Sequence, residues 1–121
     1  MPKIFVYGTL MRGKGNHHLM RNSTFIGDAT LDGYSCVLIQ SGNWYPGIVK
    51  DDEAFVKGEL WQVPDSDTPH FDRLESNGYL YQRTPTKVKC IGEIHDAEAY
   101  VYLHQYIRKV KGEDTPWDES L

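Results

Sequence analysis

A chain of 121 residues, 40% hydrophobic and 25% charged, has the size and composition of one folded domain, which excludes an intrinsically disordered segment. Its formal net charge of -4 and pI near 5.7 are unsuited to gripping a phosphate backbone, so nucleic acid is not an expected partner. No apolar run approaches the roughly 20 residues of a membrane helix, and the opening stretch Ile4-Phe5-Val6 stops at Tyr7-Gly8, too short for a secretory signal; no membrane is expected, and a cytoplasmic location is.

In chain order, Ile4 to Tyr7 is a continuous β-prone apolar run that predicts a buried strand ended by Gly8. A loop through Gly15 follows, and Asn16 can cap a short helix running to about Asn22, with Leu19 and Met20 as its apolar contacts. Thr24 to Ile39 predicts one or two strands, with Asp32-Gly33 marking a hairpin or a bulge. Ser41-Gly42-Asn43 reads as a turn, and Trp44 to Val49 as a strand whose beginning Pro46 places at an edge or bulge. Ala54 to Val63 is the clearest strand; both of its alternating sets contain apolar residues, so both faces are expected to be covered over part of its length. Asp65 to Glu75 predicts a helix, capped by Asp67 or Thr68, with Pro69 in its first turn and Phe71 and Leu74 on one face; Ser76-Asn77-Gly78 stops it. Thr84 to Ile91 and Glu98 to Leu103 alternate as two more strands, with Ile94-His95-Asp96 in the turn between them. The expectation is a single domain over residues 1–108 and a charged, mobile tail over 109–121. Strands dominate without β-α alternation, which predicts an α+β fold: a small mixed β-barrel or curved sheet with short flanking helices.

Two segments carry chemistry. Tyr7-Gly8-Thr9-Leu10 leaves a buried strand through a glycine, so successive amide N–H groups can converge on a carboxylate or oxyanion; an ordinary Gly turn is the plainer reading. Gly8 to Lys14 also satisfies the first seven positions of a phosphate-binding P-loop, but Gly15 stands where the magnesium-holding Ser or Thr is required. Glu75 stands near a helix C-terminus, where the dipole disfavours a carboxylate and raises its pKa, which makes it a candidate general base. A solvated Glu75 paired with Arg73 or Arg83 is the alternative, and Asp72 reads either as a second carboxylate or as a surface charge. Cys36 and Cys90 form no C-x-x-C pair and read as half-buried strand thiols. His17, His18, His70, His95 and His104 lack metal-ligand spacing, so no metal is expected. Trp44, Tyr45, Trp61, Tyr79 and Tyr81 can line a pocket, with core packing as the default.

Together the segments resemble the gamma-glutamylcyclotransferase-like family, above all its gamma-glutamylamine cyclotransferase branch. The likeness rests on Val6-Tyr7-Gly8-Thr9-Leu10-Met11-Arg12-Gly13 with Asn16-His17 behind it, on Gly58-Glu59-Leu60-Trp61, and on Phe71-Asp72-Arg73-Leu74-Glu75 followed by Tyr81-Gln82-Arg83. The resemblance implies a small mixed barrel with flanking helices. It implies a reaction in which a γ-glutamyl amide is cleaved by cyclising its glutamyl part to 5-oxoproline, without metal or cofactor. Tyr7, Gly8, Thr9 and Leu10 would bind the glutamyl moiety through backbone groups, with Tyr81 also at the substrate, and Glu75 would take the proton from the α-amino group. Tyr7, Tyr81 and Tyr102 stand as alternatives for an oxyanion donor. The chain departs from the family in placing Ser76-Asn77 between Glu75 and Gly78. With Arg12 and Lys14 beside the loop, a protein that sequesters a small anionic ligand without turnover is the competing expectation.

Overall fold

The apolar run near the start forms β1 (Lys3–Val6), and its position explains why both of its faces are apolar. The computed structural model describes residues 2–7, 11–13, 17–40, 43–75, 77–106 and 108–110, with the side chains of 38–40, 43–46, 108 and 110 outside that description. After a single 3-10 turn over His17–Met20 come β2 (Thr24–Gln40) and β3 (Asn43–Gln62). A second 3-10 turn leads into α1 (Thr68–Leu74), followed by β4 (Tyr81–Cys90), β5 (Glu93–Tyr102) and β6 (Arg108–Val110). The sheet order is β3-β1-β5-β4-β2-β6, and β2 also pairs with β3, which closes the first five strands into a barrel. β1 lies between β3, antiparallel with Phe5 opposite Leu60, and β5, parallel with Phe5 opposite Ala99. Every other strand pairing described is antiparallel.

Alternation along the strands splits the apolar residues into two cores. Phe5, Leu31, Ile48, Val56, Leu60 and Val88 fill the barrel. Ile4, Val6, Trp61, Val63, Tyr81 and Tyr100 face outward and are covered by Met20 of the first 3-10 turn and Phe71 of α1. Each large side chain so buried contributes on the order of 1.5–3 kcal/mol. β3 carries apolar residues on both alternating sets because it has cores on both sides, as its sequence pattern predicts. Cys36 and Cys90 are fully buried in the barrel rather than half-buried.

The elements differ from expectation in three places. The strands expected at Trp44 to Val49 and Ala54 to Val63 join into β3, whose register passes from Phe55 opposite Asp32 to Lys50 opposite Tyr34. The skipped residues, 51–54, stand opposite the bulge predicted at Asp32-Gly33. Ile94, His95 and Asp96 are not a turn: they pair with Lys89, Val88 and Lys87 inside a longer β5, and the reversal lies at Ile91-Gly92. β6 takes in Lys109 and Val110, past the expected boundary at 108, and pairs with Val37 and Cys36; Lys109 is tied to Asp51 at 2.8 Å. Residues 111–121 of the expected tail, and the turn residues Ser41 and Gly42, lie outside the described residues.

Candidate active site

Glu75 caps the C-terminus of α1 and donates its backbone N–H to Phe71 O at 3.0 Å. Phe71 is 1% exposed, so the helix that carries Glu75 is anchored in the outer core one turn earlier. The Glu75 carboxyl is half-buried, and burial pushes it up to about 7 from the ordinary 4.5. The expected pairing with Arg73 or Arg83 does not form. Arg83 turns to Asp72 and Glu98, Arg73 to His70, and among the described residues no basic side chain pairs with Glu75. A carboxyl group at such a value holds the proton and releases it with equal ease at neutral pH, which suits a general base.

Three tyrosines gather at the same end of the barrel. Tyr7 follows the C-terminal end of β1, Tyr100 lies near the C-terminal end of the parallel β5, and Tyr81 opens β4 opposite Tyr102. The Tyr7 hydroxyl donates to Tyr100 O at 2.6 Å. Burial first, then Tyr81 and the Glu75 charge, push the Tyr7 hydroxyl well above its ordinary value. The Tyr100 hydroxyl donates to Asp72 Oδ1 at 2.7 Å; burial and that bond hold it well above its ordinary value, and Glu75 adds to the effect. Glu75 is thus close enough to act on both Tyr7 and Tyr100.

The side chain of Tyr7 is a strut to the neighbouring strand β5, its proton engaged by a backbone carbonyl. Tyr81 is buried, its ring 5.4 Å from that of Tyr102. Gly8, Thr9 and Leu10, and with them Lys14, lie outside the described residues. Asp72 is neither a loose surface charge nor a second acid at the site but a partner of Tyr100 and Arg83.

Two residues escape the sequence reading. Tyr100 looks like one more alternating strand residue, and only the fold brings it to Asp72. Glu59 is a buried carboxylate on β3 that accepts from Arg12 N at 3.1 Å, Arg12 Nε at 2.9 Å and Trp61 Nε1 at 3.1 Å. Arg12 also reaches Asp28 at 2.9 Å, so its guanidinium is engaged by two carboxylates within the fold. Tyr7 is held by its bond to Tyr100 O, and Arg12 by its clamp on Glu59. The sequence does not single out the clamp: Glu59 is one of several ionisable residues along β3, and only the fold buries it.

A groove of about 450 Å³ is lined by Met11, Asp28, Thr30, Lys57 and Glu59, and by none of the residues around Glu75. Among the described residues no three His, Cys, Asp or Glu side chains stand close enough to hold a metal ion, and no helix is long and apolar enough to cross a membrane.

Comparison with known proteins adds an independent line. The family model described as gamma-glutamyl cyclotransferase, AIG2-like, matches residues 4–119. The gamma-L-glutamyl-butirosin B gamma-glutamyl cyclotransferase of Niallia circulans is 33% identical over 109 residues, covering 84% of this chain and 67% of that protein. The human gamma-glutamylaminecyclotransferase is 33% identical over 102 residues, covering 75% of this chain and 64% of its own. In three dimensions the AIG2-like protein of Mus musculus superposes with a TM-score of 0.77 at 24% identity, covering 94% of this chain and 90% of that one, which is a likeness of fold.

Proposed function

Because the chain belongs to the gamma-glutamyl cyclotransferase, AIG2-like family, we propose that it cleaves a γ-glutamyl amide by cyclising the glutamyl part to 5-oxoproline and releasing the amine, with Glu75 as the general base. The carrying observation is a half-buried carboxyl lifted to about 7 beside Tyr7 and Tyr100, with no cationic side chain among the described residues paired to it. The substrate's α-ammonium must lose a proton before it can attack. Glu75 takes that proton; the amine nitrogen bonds to the γ-carbonyl carbon and sheds a second proton as the lactam forms, the C–N bond to the leaving amine breaks, and the two protons depart with that amine as its ammonium. Attack within one molecule closes a five-membered ring, so holding the amine against the carbonyl can supply as much as ~7–11 kcal/mol of the acceleration. Main-chain groups of Tyr7, Gly8, Thr9 and Leu10 are assigned to the glutamyl end of the substrate, and Tyr81 to the wall beside it. The leaving group is an amine or an amino acid, and the name of the human relative supports the amine. A cytoplasmic setting accompanies this reading, in keeping with two buried thiols.

A screen of γ-glutamyl amines and γ-glutamyl amino acids, with 5-oxoproline as the readout, tests the proposal. Glu75→Gln is expected to lower kcat about 10²–10⁴-fold with the fold intact. Equal turnover in that variant removes Glu75 from the reaction. A purified protein that retains a small ligand and forms no 5-oxoproline is a sequestering protein instead.

A further inference from the structure

We propose that Arg83 is a positioning residue that aims Glu75, its guanidinium holding Asp72 on one side of the carboxyl and its backbone N–H holding Asn77 on the other. The inference rests on the reading of Glu75 as the base. α1 has only seven residues, and its N-cap Asp67 makes no side-chain capping bond. Two turns of helix do not hold themselves, so what fixes Glu75 must come from tertiary contacts. Phe71 supplies one, in the outer core. Asp72 supplies the other. Its Oδ1 accepts the Tyr100 hydroxyl at 2.7 Å, and its Oδ2 accepts Arg83 NH2 at 3.3 Å. Arg83 Nε also approaches Oδ1 at 3.0 Å, as an ion pair too misaligned for a hydrogen bond. Arg83 NH1 reaches Glu98 Oε1 on β5 at 3.1 Å, which steadies the guanidinium against the barrel wall.

Beyond Glu75 the chain leaves the helix, and the same arginine residue catches it. Asn77 Oδ1 accepts the Arg83 backbone N–H at 2.7 Å, and Asn77 donates its own N–H back to Asp72 O at 2.8 Å. Glu75 therefore sits in a short span both of whose ends are fastened to one residue of β4. Asn77 lies in the stretch where the chain departs from its family, and its side chain provides a tie that a glycine could not make. A base must be held close to its line of attack, and a displacement of about 1 Å can cost on the order of 100-fold in rate.

The groups facing Glu75 are Tyr7, just after β1, and Tyr100 from β5; Asp72 on its own helix, Arg83 on β4 and Glu98 on β5 surround them. This charge arrangement separates aiming from simple electrostatics. If Arg83 and Asp72 acted only through space, Arg83→Met would raise the Glu75 pKa and Asp72→Asn would lower it. If they aim the carboxyl, either change lets it swing towards water, and both lower it.

The test is an NMR pH titration of the Glu75 side-chain carboxyl carbon in the wild type, Arg83→Met, Asp72→Asn and the exposed-site variant Asn77→Ala, together with their pH–rate profiles for 5-oxoproline formation. The wild type is expected to titrate near 7 and every variant lower, towards 4.5, the acid limb of the rate moving the same way. The kcat of Arg83→Met and Asp72→Asn is expected to fall on the order of 10–100-fold with KM little changed, and Arg83→Lys to recover part of it. Opposite shifts for Arg83→Met and Asp72→Asn, or wild-type titration in Asn77→Ala, overturn the proposal. Because the titration reads the position of Glu75 without turnover, it decides the matter even if the base lies elsewhere. Full activity in Glu75→Gln would overturn the functional reading and leave the titration result standing on its own.

Discussion

A carboxyl group that burial lifts to about 7 is costly to keep ionised where it stands. The folded protein holds the Glu75 proton more tightly than the unfolded chain, where the ordinary value is 4.5. Below that value both states are protonated and folding is unaffected. Between 4.5 and 7 the unfolded chain sheds its proton first, and the stability tied to this group is lost as pH rises through 7. Glutamine cannot ionise. Urea unfolding is therefore expected to show Glu75→Gln more stable than the parent by about 1–3 kcal/mol at pH 8, and to show no such gain at pH 4. An equal difference at both values would mean that burial is not what lifts the group. The sequence makes Glu75 legible as an acid at the wrong end of a helix dipole. It does not reveal that desolvation is the cause, because burial is set by the fold and not by the helix alone.

At the scale of elements, the hairpin joining β4 to β5 shows where local reading ends. Its two central residues, Ile91 and Gly92, have φ of 51° and 71°, the signs a two-residue type I′ turn requires. Glycine adopts that conformation without cost, whereas a β-branched residue is strained in it. Ile91 is 73% exposed, so packing does not offset the strain. The triplet Ile94-His95-Asp96, expected in the turn, is held in the strand by pairing with Lys89, Val88 and Lys87. Ile91→Asn is expected to raise stability by about 0.5–2 kcal/mol, seen as a higher melting temperature with unchanged activity. Other elements were legible because their signals are local: the apolar run of β1, Pro69 in the first turn of α1, and the bulge at Asp32-Gly33. The ties that set the site were not. Arg12 meets Glu59 across 47 residues and Tyr100 meets Asp72 across 28, and no pattern in either segment names the other.

The whole molecule depends on β1 being inserted between β3 and β5, and the approach to β3 leaves no room for a side chain at Gly58. A Cβ there would lie 2.3 Å from the Val6 carbonyl oxygen and 2.7 Å from the Phe5 ring. The nearest atom is backbone, so the strand itself must move. Gly58→Ala is expected to cost about 1–3 kcal/mol in chemical denaturation, and to lower kcat because Val6 leads directly into Tyr7. A stable, fully active variant would show that the closure tolerates more slack than this contact allows. The parallel seam between β1 and β5 also sets an order of events during synthesis on the ribosome. By the time residue 62 is made, β1 can pair with β3, but its other edge stays open until β5 has been added at residues 93 to 102. The nascent chain must carry an apolar, unpaired strand edge until β5 is made, the state most exposed to wrong partners. The bond from Tyr7 to Tyr100 spans 93 positions, so the end of the barrel that holds both is assembled only once β5 has been made.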